Sequence, residues 1–322
     1  MGALDASLGA ILIGTWIDCM LYMLELTQIY TFFTRYPKDH PLLKATIWVL
    51  LLVDTVGSAA GNGTAYLYTI TYWGDAEAIT KQYWTFPTYC TATACSAAIV
   101  QSFLIFRFWN LSKTHLLAVV LVCMSLSALV GGVWTAVAVS IFSDLAQRPR
   151  IVTPVTLWFA ATAATDISIT LCLVWQLRRV KNKTVFKATQ SMLSRLTGMA
   201  IQTGSVTSVF AIVILGFFLK NPSGSIAVGV NECFGRVYTL TMLYNLNNRR
   251  SIRNGVSSKS GTSGPDLEAG NSAAIDLSQI RVEHQTHTVQ DYSLPVKTRD
   301  YATERTQSDD GSLTDTKGPT AL

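Results

Sequence analysis

Seven apolar runs, at about residues 9–33, 45–71, 86–109, 116–142, 154–177, 196–219 and 225–246, constrain this chain more than any other feature. Each is about 20 residues or longer. As a helix rising about 1.5 Å per residue, such a run spans a bilayer hydrocarbon core of roughly 30 Å. Composition agrees, since hydrophobic residues make up 49% of the chain and charged residues only 14%, about half the charged share of an ordinary soluble domain. Mean hydropathy is +0.32 even though the carboxyl-terminal quarter is polar. The expected fold is therefore all-α: a polytopic membrane bundle of seven transmembrane helices over residues 1–253.

Short polar connections separate the runs. Arg35-Tyr36-Pro37-Lys38-Asp39-His40-Pro41 and Asn221-Pro222-Ser223-Gly224 combine proline or glycine with polarity, which stops a helix and marks a turn. Met1 to Leu8 contain no Lys or Arg, so the first run is expected to act as the insertion signal rather than as a cleaved leader. All six cysteines fall inside the runs, where small apolar packing is their expected role.

Orientation follows from the cations in the short loops. One side would hold Arg35, Lys38, Lys44, Arg107, Lys113, Arg178, Arg179, Lys181, Lys183, Lys187, Arg195, Arg249, Arg250 and Arg253. The other would hold only Lys81, Arg148, Arg150 and Lys220. The richer side is expected in the cytoplasm and the amino terminus outside, in a multi-pass protein of the plasma membrane. Tyr72, Trp73, Tyr83 and Trp84 cluster at one boundary and Phe108 with Trp109 at another, as headgroup-layer aromatics do.

Residues 254–322 change character: Ser, Thr, Gly, Asp and Gln dominate and no apolar periodicity persists. This segment is expected to be a disordered cytoplasmic tail, with a formal charge of −4 from six cations and ten acids.

The four histidines lie in loops or the tail, so no run offers a histidine-based metal or general-base site. No phosphate-binding glycine loop, nucleophile elbow or Cys-x-x-Cys pair occurs. No catalytic residue, cofactor or metal is therefore expected, and no nucleic-acid partner. The expected partners are the bilayer itself, a cytosolic signalling protein, and a small-molecule or cation ligand.

Several stretches carry a resemblance. They are Leu8-Gly9 with Gly14 and Tyr22, Tyr36-Pro37-Lys38-Asp39, Val100-Gln101-Ser102-Phe103 leading to Arg107-Phe108-Trp109-Asn110-Leu111-Ser112, Thr203-Gly204-Ser205-Val206-Thr207-Ser208, and Val237-Tyr238 followed by Leu246-Asn247-Asn248-Arg249-Arg250-Ser251-Ile252-Arg253. Over its first two hundred and fifty residues the chain resembles a large family of uncharacterised seven-helix membrane proteins of mushroom-forming fungi that carry a domain of unknown function. It departs from the family at Thr239-Leu240-Thr241-Met242 and at Asn248. The resemblance implies architecture and membrane location, with no reaction attached. The plan is also similar, at the level of fold alone, to G-protein-coupled receptors. Their marks are missing, because Arg107 has no acidic neighbour in Phe106-Arg107-Phe108 and the last run lacks Asn-Pro-x-x-Tyr.

Ionisable side chains in hydrocarbon cost about 2.5–3.5 kcal/mol each, so those present are the candidate functional residues. They are Asp18, Glu25, Asp54, Asp166, Glu232 and Arg236, with Tyr22 on the same face as Asp18 and Glu25. Glu232 and Arg236 are an i, i+4 pair with the acid first. Counted from the inner ends of the runs, Glu25, Asp54, Asp166 and Arg236 lie 8, 9, 11 and 10 residues deep, roughly 12–17 Å, and so can meet in one layer. Arg236 is the expected centre, with Glu25 and Asp54 nearer partners than Asp166. Any carboxylate left over should carry a proton or hold a cation. Two further features are the basic connection carrying Arg178, Arg179, Lys181, Lys183, Lys187 and Arg195, which suits anionic lipid or a cytosolic partner, and Gly57 with Gly61, a GxxxG pair suited to helix packing. Together these features point to a receptor-like or sensory protein, with a proton- or ion-coupled transporter and a non-catalytic scaffold as alternatives.

Two outcomes are expected from this reading. In sealed right-side-out cells a tag before Met1 should be accessible to an impermeant reagent and a tag after Leu322 protected; the reverse pattern would overturn the orientation. A chain ending near Gly255 should match the full chain in thermal stability in detergent, because the removed segment has too little apolar surface to pack.

Overall fold

The computed structural model describes residues 5–75, 77–78, 81–184, 187–222 and 224–248, and among them all regular structure is helical. The helices are α1 (Asp5–Arg35), α2 (Pro41–Tyr66), α3 (Thr85–Ser112), α4 (His115–Ile141), α5 (Val152–Lys183), α6 (Lys187–Lys220) and α7 (Ile226–Asn247). The expected tail, with Arg249, Arg250 and Arg253, lies outside the described residues, as does the side chain of Lys187.

Local chemistry sets the ends. Pro41 opens α2, where its missing N–H is no loss, and the His40 ring Nδ1 accepts a hydrogen bond from the Leu42 amide at 3.2 Å. Lys113 closes α3 with a left-handed backbone at φ 56°, which permits a connection of two residues to α4. At the same end α5 runs on past its apolar run to Lys183, and its last turn carries Lys181 and Lys183, cations that suit the negative end of a helix dipole. Helix α6 starts nine residues before its apolar run. Hydropathy marks where lipid begins, whereas the backbone ladder continues into the polar layer.

All helices except α7 are long and apolar enough to cross a bilayer, α4 being the most apolar. This is the composition of a multi-pass membrane protein. Helix α7 falls short because Asn231, Glu232, Arg236, Asn245 and Asn247 interrupt it. Its position compensates, since only Ile226 and Tyr244 of its 22 residues are exposed.

Each helix packs on its neighbours in sequence, α1 also packs extensively on α7, and α3 lies inside the ring against α2, α4, α5 and α7. Apolar side chains such as Trp16, Met20, Trp48, Leu52, Val119 and Leu126 face outward, while charged and hydroxyl side chains are buried. Such an apolar exterior would be an aggregation hazard in water and is the solvated surface in lipid. Many Ser and Thr hydroxyls, among them Thr27, Thr31 and Thr34 on α1, donate to the carbonyl four residues earlier and so satisfy themselves within their own helix.

Close helix approaches fall mainly at other glycines than the GxxxG pair of α2. A Cβ on Gly14 would lie 2.5 Å from the Gly229 carbonyl oxygen, and one on Gly131 would lie 2.9 Å from the Cα of Trp158. Gly57 does pack tightly, with Ala92 at 3.2 Å and the Arg236 guanidinium at 3.3 Å from where its Cβ would be, but Gly61 meets nothing within 4 Å. Lipid supplies no hydrophobic drive between helices, so such close approach is a main source of their attraction. Gly229→Val should therefore cost about 1–3 kcal/mol through overpacking, while Gly61→Ala should be neutral or stabilising by up to about 1 kcal/mol. Thermal unfolding in detergent measures both.

Candidate functional site

The deepest polar cluster forms where α1, α2, α3 and α7 meet, about midway along the bundle. Arg236, 4% exposed, projects from α7 toward α2. Its Nη1 lies 2.7 Å from Asp54 Oδ1, and its Nη2 donates to the Asp54 carbonyl oxygen at 2.6 Å and to Ser58 Oγ at 2.7 Å. Its Nε sits 3.0 Å from Asp18 Oδ1, a charge contact too poorly aligned to be a hydrogen bond. The guanidinium also lies over the Tyr22 ring, 5.5 Å from its centroid, and the Tyr22 hydroxyl bonds Thr55 on α2 at 2.8 Å.

Hydroxyls complete the shell. Asp54 accepts from Ser96 on α3 at 2.6 Å and from Thr239 on α7 at 2.5 Å, and Asp18 accepts from Ser58 at 2.7 Å. Buried charge is tolerated only when paired and hydrogen-bonded, and this shell meets that condition for Arg236 and Asp54.

Two acids of the same region stand differently. Glu232 accepts from Thr15 on α1 at 2.8 Å, so its partner is a hydroxyl across the α1–α7 contact and not Arg236 one turn away. Glu25 is 0% exposed, and neither carboxyl oxygen meets a hydrogen-bond donor among the described residues. Asp54, Arg236 and Asp18 are the charges acting on it. The Glu25–Arg236 bond expected from equal depth is replaced by Asp18–Arg236, because Asp18 lies on the stretch of α1 that faces α7 closely, just beyond Gly14.

Asp166 belongs to a second network. It accepts from Gln101 on α3 at 2.8 Å and from the Tyr238 hydroxyl on α7, and Gln101 in turn accepts from Ser125 on α4 at 2.9 Å. Nearer the basic end Asn245 donates to Thr203 on α6 at 3.4 Å, and Asn247 donates to the Gln28 side chain on α1 at 2.6 Å. Through these contacts and those of Arg236, α7 is bonded to four other helices, α1, α2, α5 and α6.

At that basic end Arg178, Arg179, Lys183 and Arg195 are exposed, Lys181 is half-buried, and Arg179 lies over the Trp175 ring at 5.5 Å. None of these cations touches the buried networks. Among the described residues no three His, Cys, Asp or Glu side chains are placed to hold a metal ion, and all six cysteines are free thiols.

Residues 162–251 match the model of a family of unknown function, DUF6534. The matched span runs from α5 through α7 and so includes Asp166, Glu232, Arg236 and Tyr238, but not the acids of α1 and α2. Of the stretches that suggested a family resemblance, those before residue 162 lie outside it. No match was found among curated proteins or among solved structures.

The sequence pattern did not single out the neutral partners Ser58, Ser96, Gln101 and Thr239, nor Tyr238 as a bonded residue. Each is a common residue in an apolar run, and only their spacing from Asp54 and Asp166 across the fold gives them a role. Arg236→Met should destabilise the bundle by about 3–5 kcal/mol by leaving buried carboxylates unpaired. Combined with Asp54→Asn or Asp18→Asn it should couple by about 1 kcal/mol or more, and with Asp166→Asn it should be additive within about 0.5 kcal/mol. Unfolding of the single and double variants in detergent gives the coupling energies.

Proposed function

We propose that the chain is a receptor-like membrane protein of seven spans, with its amino terminus outside, its basic end in the cytosol and residues 254–322 as a cytosolic tail. The observation that carries the reading is the bonding of α7. This helix is polar, almost wholly enclosed, and joined through Arg236, Tyr238, Thr239, Asn245 and Asn247 to partners on four other helices. A displacement at its outer end changes hydrogen bonds as far as Asn247, beside the basic end. Such a helix is a two-state element that an outer ligand can bias. The exposed cations Arg178, Arg179, Lys183 and Arg195 then offer a docking surface for a cytosolic partner or anionic lipid. No enzymatic role forms part of this reading.

A second reading, a proton- or ion-coupled transporter, is favoured by Glu25. A fully buried carboxyl without a donor, beside Asp54 and Asp18, is the kind of group that takes up a proton or a cation.

Reconstitution separates the two. Proteoliposomes bearing a pH or sodium gradient should show no flux above protein-free vesicles, while a cysteine placed at Tyr244→Cys on the exposed basic end of α7 should change its labelling rate several-fold when Asp166→Asn breaks the second network. A steady flux abolished by Glu25→Gln would replace the receptor reading with the transporter.

A further inference from the structure

At the amino-terminal end of the bundle a second cation is buried, and among the described residues it is not paired with an acid. Arg148, in the short 3-10 turn Leu145–Ile151 that leads into α5, is 5% exposed. Its Nη1 donates to the carbonyl oxygens of Pro222 at 2.9 Å and Gly224 at 3.3 Å, tying this turn to the α6–α7 connection. The described ion pairs all lie elsewhere, at Lys81–Glu77, Arg236–Asp18 and Arg236–Asp54. Arg148 Nε is buried and meets no acceptor among the described residues.

This guanidinium lines a cavity of about 40 Å³ whose other walls come from α3, α4, α5, α6 and α7. Two further polar groups on its wall are unsatisfied, the side-chain carbonyl oxygens of Gln82 and of Asn231, the latter residue 5% exposed. An amide can be turned about its last bond to present its NH2 instead, so both residues can offer donors to the cavity. Phe86, Trp158 and Phe159 form much of the remaining wall, and the edges of aromatic rings are electropositive.

Charge and size together define the occupant. A guanidinium is a donor only, and an uncompensated buried cation is costly unless a negative partner reaches it. Nothing acidic lines the cavity. With about 10–15 Å³ needed per water, the space takes about three or four small atoms and no drug-sized molecule.

We propose that this cavity is a binding site for one small monovalent anion, a halide or a short carboxylate, held by Arg148 Nε–H and the amides of Asn231 and Gln82. The site serves as counter-ion to Arg148 and fixes the α4–α5 turn against the α6–α7 connection. It is independent of the network around Arg236 and of whether the protein signals or transports.

The test is thermal unfolding of the full chain in detergent, with chloride titrated against gluconate at constant ionic strength and acetate in a parallel series. Chloride should raise the Tm saturably by a few degrees, and gluconate, too large for the cavity, should not. Acetate acting like chloride extends the class to carboxylates; chloride acting alone restricts it to halides. Asn231→Asp, which places a carboxylate on the cavity wall, should remove the chloride dependence and hold the Tm in gluconate at or above that of the parent in gluconate. Arg148→Gln should lower the Tm in every salt and also remove the chloride dependence. Equal Tm values for the parent chain in chloride and gluconate would overturn the proposal and leave Arg148 as a clamp for the Pro222 and Gly224 carbonyls with water beside it. A chloride effect that persists unchanged in Asn231→Asp and Arg148→Gln would overturn it as well.

Discussion

The contact of one guanidinium with two carboxylates sets the terms for the rest of this bundle. Arg236 has left water entirely, and an ion in so poor a dielectric is stable only if its counter-charges are held close and their remaining lone pairs are filled. Asp18 and Asp54 supply the charge, and Ser58, Ser96 and Thr239 fill the lone pairs. The side chains come from four helices, so the requirement fixes the rotation and depth of each. A sliding or rolling helix would break a charged hydrogen bond before it lost much apolar contact. The ion pair therefore acts less as glue than as a register mark, the best-attested use of buried charge.

Packing follows from the same demand. For the Arg236 guanidinium to lie against α2 there must be room beside that helix, and Gly57 leaves the space that a side chain would fill. For Asp18 to reach it from the other side, α1 must lie against α7, which Gly14 and Gly229 permit. Small residues and buried charges are usually counted as separate devices in membrane bundles, but here one makes the other possible.

Much of this was legible in the sequence, because lipid imposes long apolar runs and makes any charge within them conspicuous. The helix positions and the oddity of Arg236 needed nothing else. Depth along a helix was a weaker guide, since it carries no information about rotation: Asp54 does pair with Arg236 as its depth suggested, but on α1 it is Asp18, two turns nearer the amino terminus, and not Glu25 that makes the contact. Asp166 lies in the same layer but faces Gln101 and Tyr238 instead. Arg148 was hidden for the opposite reason. A cation in a short connection counts as a topology signal, and only the folding of the α6–α7 connection over it makes it a buried group.

The polarity of α7 bears on how such a chain is made. Most of the residues that disqualify this helix from crossing lipid by itself, Glu232, Arg236, Asn245 and Asn247, are bonded by neighbouring helices, all of which precede it in the chain. Its burial depends on docking in a groove whose acids, on α1 and α2, come earlier in the chain. Without α7, Asp18 and Asp54 lack the cation that pairs them. Arrival of the last helix therefore supplies the counter-charge and buries both carboxylates in one step.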